Sequence, residues 1–470
     1  MRILVALLVM ATLVAAAVFL ADRPGQVEIV WQEWQVETSL GVLVAGLLLA
    51  VLLFSGLLGA IAAISRLPGR IRRRRRERAR RAGDAALSRA LVALAAGNPA
   101  QAQLEAQRAE RLLDGSTVAL LLAAEAAERQ GDRDGARRRF AVLGEQPETA
   151  LLGLRGLLGQ ALRNHRGDTA LRLAERAHRL RPEVPWLSET LLELQARAGE
   201  WDAALETLGL ARRRGGIPAD RLRRHRGVVL YERSRAAERR GDPHRAAALA
   251  ARAQKDAPDL AAIACHHARL LVTLGRSRAA ERTLERGWRA TPQPEIVRSY
   301  VDIHPEAGPV ERAGALERLA GQNPDAVESY LALAEAALAA QLWGEARRHL
   351  SMAAAGRASS GPPRRLCLLM ARLEDAEGTG RAREWLDRAV SAAPDPCYVC
   401  VACGAETGEW QSLCPRCRRF DTLAWRLPPR PGKEAGTALF SPLLSGPGAP
   451  LIEPDAAKTP DRLGSGATIG

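Results

Sequence analysis

The chain has 470 residues and a formal net charge of +15, with 47% hydrophobic residues but only 4% aromatic ones. At about 100–200 residues per domain that length allows more than one folded unit, and the abundance of Ala, Leu, Arg and Glu favours helix over sheet. Ten of the basic residues fall between Arg66 and Arg81, so the charge excess is a local feature and no nucleic-acid partner is expected.

Two long apolar runs open the chain, Ile3 to Ala21 and Leu40 to Ile64, and neither contains a charged residue. A helix of about 20 apolar residues crosses a hydrocarbon core about 30 Å thick, so both runs read as membrane spans. The first is expected to be a retained span, because its n-region is Arg2 alone, its run exceeds that of a signal peptide, and a second span follows. Beyond the second span come Arg66, Arg70, Arg72 to Arg76, Arg78, Arg80 and Arg81. Such a cluster resists translocation and marks the inner side, and it also attracts anionic inner-leaflet lipids. The expectation is a two-pass hairpin, spans 3–21 and 40–64 within a segment 1–82, with both termini cytoplasmic. The connector carries Asp22, Glu28, Glu33 and Glu37 against Arg23. Within it Val27, Ile29 and Trp31 alternate with polar residues like a short strand, and Trp31 and Trp34 suit the outer headgroup level.

The connector string Pro24-Gly25-Gln26-Val27, followed by Trp31-Gln32-Glu33-Trp34-Gln35-Val36-Glu37-Thr38-Ser39, resembles the start of HemY N-terminal-domain proteins. The resemblance implies a proteobacterial inner-membrane protein with tetratricopeptide-like helices after the two spans, associated with haem biosynthesis. No GxGxxG follows a predicted strand, so the flavin-dependent oxidase that shares the family's name is not supported.

From residue 83 to residue 394 a unit recurs: a helix ending near Gly, a polar turn, an Ala-rich helix, and often a closing Pro. Gly131, Gly167, Gly199, Gly241 and Gly275 follow one another at spacings of 36, 32, 42 and 34 residues. Further instances start at Gly97, Gly344 and Gly378. The pattern reads as a degenerate tetratricopeptide array, in which each helix pair buries its apolar face on its neighbours; a generic helical bundle is the alternative. Cys265-His266-His267 stands out, but adjacent positions point about 100° apart on a helix, so packing plus an exposed histidine is expected there.

Five of the seven cysteines lie between Cys397 and Cys417. Cys400-Val401-Ala402-Cys403 and Cys414-Pro415-Arg416-Cys417 form two CxxC knuckles separated by ten residues. Four thiolates suit tetrahedral Zn²⁺, with iron as the alternative ion. Cys397 could replace Cys400 in a shifted pairing. Gly404 supplies the positive φ such a turn demands, and Tyr398, Trp410, Phe420 and Trp425 can pack as a minimal core. So small a module relies on its metal for folding free energy. The stretch 397–427 resembles a rubredoxin-like zinc ribbon, close to the C-terminal module of lipopolysaccharide assembly protein B, and the resemblance places ligands on Cys400, Cys403, Cys414 and Cys417.

After Pro428 the chain is rich in Pro, Gly, Ala and Ser without periodicity, so the tail 428–470 is expected to be disordered. The fold class is thus all-α: two transmembrane helices, a tetratricopeptide-like α-solenoid, a small zinc ribbon and a tail. The repeats contain no nucleophile–base arrangement and no phosphate loop, so no enzyme activity is expected. What the resemblances imply is an inner-membrane scaffold for late haem-biosynthesis enzymes. The alternative is an adaptor for proteolysis or for lipopolysaccharide and envelope assembly.

Overall fold

The computed structural model describes residues 11, 26–31, 34–113, 115–214, 217–355 and 362–428. The expected span 3–21 lies outside the described residues but for Ala11, and so does the tail but for Pro428. The chain divides into two compact units, Met1–Gln130 and Gly131–Gly470.

The first unit begins with a β-hairpin that departs from an all-α fold. Strand β1 (Gln26–Trp31) is the one the alternation predicts, and it pairs antiparallel with β2 (Trp34–Ser39) in a register from Gln26↔Ser39 to Trp31↔Trp34. The second strand carries the same alternation, Trp34, Val36 and Thr38 against Gln35, Glu37 and Ser39, but only the first was placed from sequence. Helix α1 follows at once and runs unbroken over Leu40–Ala95, so the expected boundary at residue 82 falls inside it. Its described apolar side chains Val42, Leu47, Leu53 and Phe54 are exposed. Among the described residues no helix is long and apolar enough to cross a membrane. Helix α2 (Pro99–Leu112) starts on a Pro and is capped by Asn98, whose side chain accepts from the Gln101 amide; both devices satisfy the free first turn. With α3 (Thr117–Gln130) it closes a small core of Ala90, Leu94, Ala102, Ala106, Leu122 and Ala126.

The second unit is a run of antiparallel helix pairs. In order these are α4 (Arg133–Glu145), α5 (Ala150–Arg163), α6 (Gly167–Leu180), α7 (Pro185–Ala198) and α8 (Trp201–Arg214). Then come α9 (Ala219–Arg239), α10 (Pro243–Asp256), α11 (Ala261–Thr273) and α12 (Ser277–Ala290). A short α13 (Pro294–Val301) interrupts the rhythm before α14 (Pro309–Ala320), α15 (Val327–Ala339), α16 (Trp343–Ala355), α17 (Arg364–Ala376) and α18 (Ala382–Ser391). Each packs on its sequence neighbours, as a nearest-neighbour array requires. Ala and Gly at the crossings let axes approach closely: a Cβ placed on Gly153 would meet the Gly144 amide nitrogen at 2.3 Å.

The glycine punctuation holds at Gly199 and Gly241, which take the left-handed conformation (φ 76° and 78°) between the helices of a pair. It fails at two expected turns. Gly167 and Gly344 lie inside α6 and α16, and the positive φ falls on His165 (52°) and Gln341 (57°) instead. The period was right there, but the turn residue was not the glycine.

Residues after α18 form a three-stranded antiparallel sheet with β3 (Cys397–Cys400) between β4 (Glu406–Thr407) and β5 (Leu423–Arg426).

Candidate metal centre

The two knuckles are built alike. In the first, the Cys400 amide donates to the Ala405 carbonyl and the Gly404 amide donates back to Cys400; in the second, the Cys414 amide donates to Arg419 and the Arg418 amide to Cys414. The fifth position of each turn is left-handed, Gly404 at φ 71° and Arg418 at φ 56°. Sequence reasoning located the first of these and missed the second, since arginine gives no hint of a positive φ.

The turns bring together the four thiols of Cys400, Cys403, Cys414 and Cys417, with all Sγ atoms within 4.8 Å of one another. Cys400 and Cys417 are 3.7 Å apart, as are Cys403 and Cys414. A tetrahedral ion with Zn–S bonds of about 2.3 Å requires S···S edges of about 3.8 Å, so the cage fits such an ion. Cys397 is not part of the cluster; it pairs with Arg426 across the sheet. Burial pushes the thiols of Cys403 and Cys417 up, whereas at Cys400 burial is outweighed by hydrogen bonds with Thr422 and the amides of Cys403 and Ala402, which bring it down to about 6, so Cys400 is the first of the cluster to become a thiolate.

The ribbon is not a separate bead. Its buried residues Tyr398, Trp410, Phe420 and Leu423 form one continuous core with residues of α7 to α11, Leu192, Val228, Tyr231 and Ile263 among them. The expected minimal core of four aromatics is therefore only half internal. Tyr398 packs edge-on against Trp425 at 5.0 Å, but Trp410 meets Tyr231 at 5.5 Å and Phe420 meets His225 at 5.4 Å.

Polar contacts fix the docking. Arg197 on α7 donates through Nε to the Arg418 carbonyl at 3.1 Å, at the back of the second knuckle. Arg224 on α9 grips Asp421 with Nε at 2.9 Å and a terminal nitrogen at 3.1 Å, the two-point geometry that guanidinium and carboxylate favour. Asp421 has 1% of its side chain exposed; burial pushes its pKa up to about 6 while Arg224 opposes the rise. Ser412 donates to the buried Glu232 at 2.8 Å, and the Tyr398 hydroxyl donates to Gln293 at 2.7 Å and to Glu295 at 3.1 Å. None of these partners was found from sequence, because each is an ordinary charged or polar residue of a helix or, for Gln293, of a helix cap.

The Cys265-His266-His267 tripeptide corrects one expectation: both histidines are buried, at 5% and 7% exposure. His266 Nε2 lies 2.9 Å from Ser234 Oγ, and His267 Nδ1 lies 2.9 Å from Gln254 Oε1. With Glu238 3.9 Å from His266 the first contact imitates a Ser-His-acid set. It is not one. The Ser234 hydroxyl donates to the Ala246 carbonyl at 2.7 Å and is fully buried, so its proton is already committed and no substrate reaches the oxygen.

Comparison with known proteins agrees with both resemblances read from the sequence. Residues 25–131 match the family model described as HemY protein N-terminus, and residues 398–424 match that of a rubredoxin metal binding domain, the LapB type of zinc ribbon. The chain is 29% identical over 446 residues to the probable magnetosome protein Mms48 of Magnetospirillum gryphiswaldense, covering 90% of this chain and 93% of that protein. Among solved structures, Naa15/Naa10 bound to HypK-THB is 15% identical with a TM-score of 0.38, covering 66% of this chain and 58% of that one. The TPR2AB domain of yeast Sti1 in its pHSP90 complex is 12% identical, with a TM-score of 0.25, covering 66% of this chain and 98% of that one.

Proposed function

We propose that this protein is a non-enzymatic inner-membrane scaffold whose helical repeats hold enzymes of a late step in haem synthesis at the cytoplasmic face. The observation that carries the scaffold reading is the continuous core from α7 through the ribbon, which leaves a rigid helical surface. The haem assignment rests on the HemY match at residues 25–131. The anchor is the two-span hairpin, with spans 3–21 and 40–64 and both termini inside. The two charge-free apolar runs and the arginines from Arg66 to Arg81 support it. Cys400, Cys403, Cys414 and Cys417 would hold one zinc ion, whose part is to close the knuckles and hold the ribbon's fold.

A deletion strain tests the haem reading: late porphyrins should accumulate. Normal porphyrins together with altered lipopolysaccharide would instead establish the second reading, an adaptor for proteolysis or envelope assembly, which the LapB-type ribbon favours. A reporter enzyme fused to the C-terminus should be active inside the inner membrane, and activity on the outer side alone would reject the orientation.

A further inference from the structure

Beside the turn at Arg240 and Gly241 a cavity of about 300 Å³ opens between α8, α9 and α10. Trp201 forms one wall, and Arg233, Arg239, Arg240 and Arg245 converge on the space. Arg233 is neutralised by Asp202 at 2.8 Å. Arg239, Arg240 and Arg245 are exposed, and among the described residues no carboxylate lies within ion-pair distance of them. The nearby Asp242 carboxylate caps α10, where it accepts from the Arg245 amide at 2.9 Å, and offsets one of these charges. Helices α8 and α10 begin at this cavity while α7 and α9 end at it, so the helix dipoles largely cancel there and the arginine side chains carry the positive charge. Three like charges held around one small space repel one another, and an anion entering it would relieve that repulsion.

We propose that this cavity is a binding site for a phosphoryl or diphosphate group. A single carboxylate balances one guanidinium, whereas a phosphate or diphosphate offers several charged oxygens that the planar forks of arginine match two at a time. The volume lies at the lower end of the range for ligand pockets, about 300–1,000 Å³, enough for a diphosphate or a phosphate ester with a small substituent. Such a group reaches the site as a soluble anion or as the headgroup of an anionic lipid. The Trp201 wall also faces Phe420 of the ribbon, with ring centroids 6.4 Å apart, so an occupied cavity would be felt at the docked metal module.

The test uses the full chain in detergent micelles, titrated separately with inorganic pyrophosphate and with dihexanoyl phosphatidic acid, by calorimetry. Saturable binding is expected below about 1 mM, weakened at least tenfold in Arg239→Gln/Arg245→Gln with an unchanged circular-dichroism melt. Should that double variant melt lower, Arg240→Gln alone repeats the comparison. Tighter binding of pyrophosphate assigns the soluble source, and tighter binding of phosphatidic acid the lipid one. Equal affinity of wild type and variants for both probes would move the binding to the Arg66–Arg81 stretch and overturn the proposal. So would the absence of saturable binding by wild type.

Discussion

Removing the Arg224 guanidinium should loosen the ribbon's hold on its metal, and more so at neutral than at acid pH. Arg224→Ala strands the Asp421 carboxylate, whose side chain is 1% exposed and whose remaining basic neighbour, His225, sits 3.8 Å away. His225 is itself held neutral, its pKa pushed down to about 4 by burial and then by Arg221 and Arg224. Breaking a buried pair from one side costs about 3–5 kcal/mol. The site has two escapes, to protonate Asp421 or to protonate His225, which no longer faces the Arg224 charge. With Asp421 already raised to about 6 in the fold, its protonation costs about 1.4 kcal/mol at pH 7 and almost nothing at pH 5.5. The escape therefore limits the expected loss to about 1.4 kcal/mol at pH 7, and to much less at pH 5.5. The assay is the rate of metal transfer from the zinc-loaded full chain to a chromogenic chelator, each variant compared with wild type at the same pH. About 1.4 kcal/mol is a rate ratio of about ten at pH 7, with a smaller ratio at pH 5.5. Adding Asp421→Asn to Arg224→Ala should recover most of the loss. A pH 7 ratio below about threefold, or a ratio that grows on acidification, would refute the clamp.

Gly153→Ala should destabilise by at least about 2 kcal/mol in denaturant unfolding, since its Cβ meets backbone of α4 on all sides. Gly209→Ala, with nothing within 4 Å of the added carbon, should instead stabilise by about 0.5–1 kcal/mol through helix propensity. Arg418→Gly relieves the left-handed backbone of an exposed residue and should raise the ribbon's stability by about 0.5–1 kcal/mol, read as slower metal release. Cys414→Ser/Cys417→Ser should lose the one zinc per chain, and unchanged metal content would reject those ligands. Burial, then the nearby arginines, pushes His266 down to about 3 and His267 down to about 4. Both sit below the ordinary 6.5, so the unfolded chain takes up protons that the folded chain refuses. Stability is then full above pH 6.5 and falls as pH drops toward 4, by about 1.4 kcal/mol per histidine per pH unit. His267→Gln should flatten the slope of unfolding free energy between pH 5 and 6 by that amount.

Features that depend on local spacing were legible in the sequence. Cys400/Cys403 and Cys414/Cys417 could be paired because a CxxC turn closes within its own four residues. The repeats could be paired because Gly and Pro punctuate them at a near-constant period. Features that depend on distant partners were not. Arg197 and the Cys417 carbonyl are 220 positions apart, Arg224 and Asp421 are 197, and Glu232 and Ser412 are 180. In the sequence Arg197, Arg224 and Glu232 look like the solvated face of a helix. The paired histidines failed for a related reason. The 100° between neighbours on α11 points one ring at α9, where it meets Ser234, and the other at α10, where it meets Gln254. In a single helix the second direction would be solvent; in a stacked array it is another helix.

The docked ribbon also changes what the repeats can offer a partner. Arg197, Arg224, Tyr231 and Glu232 stand on α7 and α9, the first helices of two successive pairs, and Glu295 opens α13. All five are engaged by the ribbon. Solenoids bind through a continuous surface laid down by successive repeats, and here that surface is interrupted by a metal module over the stretch from α7 to α13. A partner reaching this stretch must meet ribbon and helix together. Because the knuckle Cys414–Arg418 carries the Arg197 contact on its own backbone, a metal closing it would also set the shape of that combined surface. Loss of the ion would therefore remodel the middle of the array and not merely its C-terminal edge.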